Sequence, residues 1–228
     1  MTAYKIDPCT LADAPALARN NMSAFWTNHS WYLLWPKDTK LEFLIEQTTK
    51  RIPNNLISNR ATLRHQKAVD PETGALLGYA RWVLPPGYEE AVEWADSQIA
   101  DVSEEEKREL KKRSDAAWWK PISMDEIDDC IPEKNRFMAK RPYINLDYLA
   151  VHPENKGKGV ATALVENGIR LAEKMGVDIL LSAFDAGLGV YKRLGFKEIH
   201  RGYQDNTKYG GEGYWVTIMT YEVNKASS

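Results

Sequence analysis

The chain has 228 residues, 43% hydrophobic and 27% charged, with thirty Lys and Arg against thirty-two Asp and Glu and a formal net charge of -2. Its length suits one domain with an embellishment better than two ordinary domains, and its composition can support a packed soluble core. The near-neutral balance argues against a dedicated nucleic-acid binder, which needs a basic excess to neutralise phosphates.

Residues Met1 to Pro8 lack the apolar segment of a signal peptide, and no later run approaches the roughly 20 apolar residues of a membrane span. A cytoplasmic protein with no membrane partner is the expectation. Cys9 and Cys130, the two cysteines, make neither a disulfide framework nor a zinc cluster, so both are expected to be packed thiols and no metal is implied.

In chain order, Tyr4 to Pro8 can form a first strand. Thr10-Leu11-Ala12-Asp13 then offers a capping-box variant, and Ala14, Leu17, Ala18 and Phe25 recur at helical spacing. Residues 25 to 35 carry Phe25, Trp26, Trp31, Tyr32 and Trp35 before Pro36, a density of rings that suits a packed helix corner or the wall of a pocket. His29, within this run, reads as a loop or core residue rather than a catalyst.

A polar helix is expected from Asp38 to Lys50. Strands are expected over Ala61 to Val69 and Leu76 to Leu84, joined by the turn formers Asp70-Pro71-Glu72-Thr73-Gly74. Pro85-Pro86-Gly87 breaks the pattern, and residues 86–140 read as an inserted, charged helical lobe between the third and fourth strands. Ser103-Glu104-Glu105-Glu106 is a capping box, Glu104/Arg108 and Glu109/Arg113 stand at favourable i,i+4 spacing, and Ser123 starts a further helix. Trp94, Trp118 and Trp119 are expected to fasten this segment to the main body.

The stretch from Leu146 to Phe196 carries the chemistry. An apolar strand (Leu146 to Val151) leads through His152-Pro153 into Lys156-Gly157-Lys158-Gly159 and a helix from Val160, followed by a strand (Ile179 to Ala183) and Tyr191-Lys192-Arg193-Leu194-Gly195-Phe196. Paired glycines at a helix start let backbone N–H groups converge on phosphate oxygens. The spacing fails the P-loop pattern, whose lysine follows the last glycine. A dinucleotide fingerprint, with Asp178 as the downstream acid, stays a weaker rival because Thr162 replaces its third glycine. After Phe196, Lys197 to Tyr203 and Tyr214 to Val223 are further strands around a Gly-rich segment, 206–213, expected to face the active site.

Lys156-Gly157-Lys158-Gly159-Val160-Ala161 resembles the [QR]-x-x-G-x-[GA] loop of the GNAT superfamily of N-acetyltransferases. Leu149-Ala150-Val151-His152-Pro153 resembles the strand and turn entering that loop, and Tyr191 to Phe196 its later YxxLGF signature. The close match spans residues 144 to about 200. It implies an α/β fold with a mixed, mostly antiparallel sheet of six to seven strands flanked by helices.

The resemblance also implies acetyl-CoA as cofactor and an amine as acceptor. The backbone from Gly157 to Thr162, with Val160 and Ala161, would take the pyrophosphate, with Lys156 and Lys158 adding charge. Leu149, Ala150 and Val151 would line the pantetheine arm and polarise the thioester. Tyr191 would protonate the departing thiolate. Asp147, expected by alternation to share a face with Asn145, Leu149 and Val151, is the candidate base.

Phe184 stands where many family members have a coenzyme-contacting asparagine, and the adjacent Asp185 is the candidate substitute. The aromatic run, especially Trp26, Trp31 and Trp35, together with Asn145, would border the acceptor. A small-molecule amine is the leading acceptor. A protein lysine or N-terminus, and a coenzyme-A-binding sensor without turnover, are the other readings.

Overall fold

Seven strand-forming segments join into one mixed sheet in the computed structural model, which describes residues 4–121 and 130–223. The strands are β1 (Lys5–Pro8), β2 (Leu63–Val69), β3 (Leu76–Val83), β4 (Ile144–Val151), β5 (Ile179–Phe184), β6 (Lys197–Gln204) and β7 (Tyr214–Tyr221). They lie in the order β1-β2-β3-β4-β5-β7-β6, and of these neighbours β4 and β5 alone run parallel. The helices are α1 (Ala14–Trp26), the single turn α2 (His29–Tyr32), α3 (Leu41–Ile57), α4 (Glu104–Ala116), α5 (Cys130–Met138), α6 (Val160–Met175) and α7 (Asp185–Arg193).

The sheet separates two apolar layers. On one face Trp82, Ile144, Leu146, Ile179 and Leu181 pack with Val160, Leu164 and Ile169 of α6. On the other, Tyr79 packs with Leu17 and Ala18 of α1 and with Ile52 and Leu56 of α3. Farther along this second face Leu180 and Ile218 meet Phe137 and Met138 of α5. The strand alternation in β3 sends Tyr79 one way and Trp82 the other, as period two requires.

Local chemistry fixes the elements that lead into the site. Thr10 and Asp13 close the expected capping box, with Thr10 N–H donating to Asp13 Oδ2 at 2.7 Å, and the same carboxylate takes Lys67 Nζ of β2 at 2.6 Å. Asp70 Oδ1 accepts the N–H groups of Glu72 and Thr73, each at 2.9 Å, to make the β2–β3 turn. Ser103 caps α4 by accepting Glu106 N–H at 3.1 Å. The ion pairs on α4 differ from those expected, since Lys107 takes both Glu104 and Asp101.

Two expectations need correction. The second long helix runs to Ile57, not Lys50, and carries Pro53 inside it. A mid-helix proline costs about 3 kcal/mol through its missing N–H and ring clash. Here Leu44, Ile52 and Leu56 continue the buried stripe through it, so tertiary packing offsets the local penalty. The residues between β3 and β4 are also not gathered into one lobe. Trp94 packs beside Trp82 at a ring separation of 5.4 Å, on the α6 face. Ile99 joins the α1–α3 core, Trp118 and Trp119 reach the tryptophans of residues 26–35, and α5 covers β5 and β7. The helix start expected at Ser123 lies outside the described residues, as does the tail after Val223.

Trp82 fixes how near α6 sits to the sheet. It is fully buried, its Nε1 donates to Gln66 Oε1 at 3.1 Å, and its ring lies where a Cβ on Gly168 would fall 2.2 Å from ring carbons. Gly168→Ala should therefore lower unfolding stability by about 1–3 kcal/mol through overpacking. Urea denaturation checks this, and an unchanged midpoint would mean that α6 moves away freely.

Candidate active site

The central parallel pair is short. β4 and β5 match residues only from Ile144 with Ile179 to Leu146 with Leu181, after which the remaining length of β4 has no strand partner on its β5 side. On its other side β4 carries a bulge. Arg81 pairs with Tyr148 and Trp82 with Leu146, so Asp147 is the extra residue. Bulges bend and twist the strand that bears them, and this one sits where the two strands part.

The bulge corrects the face expected for Asp147. Leu149 and Val151 pack with the α6 layer, like Ile144 and Leu146, whereas Tyr148 packs with α1 and α3. Simple alternation fails because two residues of β4 oppose one of β3. Asp147 is bound to Arg81, whose Nε donates to Oδ2 at 2.8 Å and whose Nη2 closes on the same oxygen. Both donors converge on Oδ2, so Oδ1 is the carboxylate oxygen left for another partner.

Beyond the gap lies the glycine loop. Gly157 and Gly159 have φ of 76° and 86°, a left-handed conformation that side-chain-bearing residues rarely adopt. Gly159 is the N-cap of α6 and supplies no side-chain cap, so the first-turn N–H groups of the helix, through Thr162, stay unsatisfied from within it. Lys156, Gly157, Lys158 and Gly159 are exposed, and Tyr4 Oη donates to Lys158 C=O at 2.6 Å, tying the loop to the chain start. The Val160 side chain is buried in the core, which leaves only its backbone for a ligand. The arrangement is an anion receptor.

At the end of β4, the buried Asn20 of α1 donates to Ala150 C=O at 3.1 Å and accepts His152 N–H at 2.9 Å. This stitch holds the strand end without help from β5.

A cleft of about 650 Å³, counting its open mouth, adjoins the bulge on the α1–α3 face. Tyr79, Arg81 and Tyr148 contribute from the sheet, Thr48 and Arg51 from α3, and Trp119 from the β3–β4 connection. His65 also faces it, and its Nδ1 shares a 2.8 Å hydrogen bond with the Tyr79 hydroxyl. Burial first, and then the charges of Arg81 and Arg64, push the His65 pKa down to about 3. The imidazole is therefore neutral at physiological pH.

The expected aromatic wall lies elsewhere. Trp35 is 4% exposed and packs behind the cleft, tilted against Trp31 at 5.3 Å and edge-on to Trp119 at 4.7 Å. Trp26 packs on Trp31 at 6.3 Å. Trp119 presents the ring to the cavity, with Trp26, Trp31 and Trp35 as its backing. The segment after β6 joins the same cluster through Tyr209. The side chain of His29 lies outside the described residues.

The other expected residues fall in different places. Tyr191 on α7 is 7% exposed, edge-on to Phe196 at 5.6 Å, and burial raises its phenol pKa. Its hydroxyl makes no hydrogen bond with a described residue. Asp185 binds Arg201 of β6 at 3.0 Å, so its carboxylate is already engaged. Asn145 is buried at the base of the gap, and its Oδ1 has no partner among the described residues. Cys9 is buried, which pushes its thiol upward and away from thiolate chemistry.

Sequence reasoning missed Asn20, Thr48, Arg51, His65 and Arg81. Arg81 alone had a visible signal, a charge sharing a strand face with Tyr79.

Residues 128–198 match the family described as Acetyltransferase (GNAT) domain. The fold agrees. The match covers the stretch from α5 to the start of β6 and marks that stretch as similar to a GNAT acetyltransferase domain. A Corynebacterium glutamicum ATCC 13032 protein described as histone acetyltransferase HPA2 and related acetyltransferase is 18% identical, covers 99% of each chain and superposes with a TM-score of 0.63. The GNAT phosphinothricin acetyltransferase of Sinorhizobium meliloti, solved with acetyl-CoA, is 13% identical over 100% of this chain and 91% of its own, with a TM-score of 0.52. The PaiA N-acetyltransferase of Thermoplasma acidophilum, solved with coenzyme A, is 12% identical over 96% and 98%, with a TM-score of 0.51. No curated protein matches the sequence. Among the described residues, no helix is long and apolar enough to cross a membrane.

The buried neutral His65 makes stability depend on pH. Its folded pKa lies near 3, below the ordinary value of 6.5, so only the unfolded chain takes up the proton between them. Stability from this group is complete above about pH 6.5 and falls by up to about 1.4 kcal/mol per unit as pH drops toward 3. His65→Gln should flatten the acid limb of a stability-against-pH curve measured by urea denaturation. An unchanged slope would place the acid sensitivity elsewhere.

Proposed function

We propose that the protein transfers an acetyl group from acetyl-CoA directly to the amine of a small-molecule acceptor. The early end of the β4–β5 pairing carries this reading, because it leaves the edge of β4 open between an uncapped helix N-terminus and a walled cleft. The residues present fit the coenzyme. Backbone N–H groups of the glycine loop and the first turn of α6 suit a pyrophosphate, Lys156 and Lys158 add positive charge, and the free edge of β4 at Leu149 to Val151 suits the amide-bearing pantetheine arm. When bound, the coenzyme supplies an acyl group activated as a thioester.

The remaining work falls to the chain. A backbone N–H from the open edge of β4 stabilises charge on the thioester oxygen, a preorganised contact of a kind worth about 3 kcal/mol. Asp147, with Oδ2 held by Arg81, takes the acceptor's proton on Oδ1. Tyr191, kept protonated by burial, returns a proton to the departing sulfur.

A bounded cleft backed by packed tryptophans favours a small acceptor over an extended peptide. The similar solved proteins include both kinds, one described as a phosphinothricin acetyltransferase and one as a histone acetyltransferase.

Free-thiol release from acetyl-CoA, measured over a panel of amines and peptides, tests the proposal. Small amines should support turnover and peptides should not. Saturable coenzyme binding with no thiol release on any acceptor would sink the catalytic reading in favour of a sensor. Tyr191→Phe should lower kcat about tenfold with little change in acetyl-CoA KM, since a thiolate leaves readily at neutral pH. Asp147→Asn should lower kcat/KM about a hundredfold. Full activity in either variant removes the role given to that residue.

A further inference from the structure

We infer that the acceptor carries a carboxylate beside its amine and that Arg51 anchors it, an inference that rests on the small-amine reading above. The cleft holds two cations in unequal circumstances. Arg81 is neutralised by Asp147. Arg51 lies with its guanidinium carbon 4.7 Å over the Trp119 ring and forms no ion pair among the described residues. Asp115, the acid that acts on it electrostatically, makes its salt bridge with Lys111 at 2.7 Å. With His65 neutral and Arg81 paired, the charge left for a ligand in the cleft is the Arg51 guanidinium, which has no ion-pair partner among the described residues.

Two further groups lack partners there. Thr48, one helical turn before Arg51 on α3, is 6% exposed and its Oγ1 has no hydrogen bond. His65 is 1% exposed, and its Nε2 is likewise unsatisfied. Both residues line the cleft, and a buried polar atom without a partner costs stability. The guanidinium over Trp119 suits a planar anion with two acceptor oxygens.

The charges are also ordered from the bulge to the cleft that adjoins it. At the bulge, the free Oδ1 of Asp147 suits an ammonium, and on α3, Arg51 suits an anion. An amine without its own negative charge meets a net positive cavity, whereas a zwitterion matches both ends. The stacked arginine thus selects α-amino acids or closely similar amino carboxylates over plain amines.

Paired acceptors test this. Thiol release from acetyl-CoA is measured with a series of α-amino acids and with the carboxamide of each, which keeps shape and amine but removes the negative charge. The wild-type protein should favour the carboxylate member by about tenfold or more in kcat/KM, mostly through KM. The carboxamide amine is the less basic and more readily deprotonated of the two, so intrinsic reactivity runs against this result. Arg51→Gln should bring the ratio toward one, and Arg51→Lys should retain part of it by keeping the charge without the planar fork.

General structural damage would depress both members alike and leave the ratio intact. A wild-type ratio near one, or a ratio that survives Arg51→Gln, overturns the inference. Turnover of peptides with none of either small series overturns the small-acceptor reading instead, and the anchor falls with it.

Discussion

The site depends on β4 and β5 holding together for only three residue pairs. A strand edge in a protein interior presents amide and carbonyl groups that must be satisfied by something, and continuing the ladder would satisfy them from within the chain. Ending it early leaves a slot whose walls accept a peptide-like partner. The bulge at Asp147 stands beside the slot and turns Tyr148 toward the α1–α3 side of the sheet, the side that Arg81 of β3 also faces. The proposed coenzyme groove and acceptor cleft therefore meet at one strand, on adjoining residues.

The two halves of the site come from differently organised parts of the chain. The coenzyme half is nearly continuous, from Ile144 through the glycine loop to Tyr191, and its geometry follows from short-range rules such as left-handed glycines and an uncapped helix start. The acceptor half is assembled from α1, α3, β2, β3 and the β3–β4 connection. Its key groups, Thr48 and Arg51 on α3 and the distant Trp119, meet only because α3 lies across the sheet. The neutral pair His65 and Tyr79 gives this half a floor that hydrogen-bonds without adding charge.

This division explains how much could be read from the sequence. The order of strands, the hairpin at Asp70, the Ser103 cap and the glycine loop were all legible, because each is dictated by residues within a few positions of one another. The bulge was not, since alternation along β4 looks regular until β3 is laid beside it. The continuation of α3 through Pro53 was hidden for a related reason, because the local penalty is visible and the compensating burial is not. The tryptophans of residues 26–35 were noticed for their number. Their position behind Trp119 depends on a ring supplied by a segment more than eighty residues later.

That late ring has an evolutionary consequence. Among the described residues, the connection between β3 and β4 contributes nothing to the glycine loop or the open strand edge, yet it furnishes the surface under Arg51 and one side of the proposed acceptor cleft. Lengthening, trimming or replacing this single excursion can retune which molecules are admitted while the grip on the acyl donor stays intact. Selectivity in this protein is thereby a trait that drift and selection can reshape apart from catalysis.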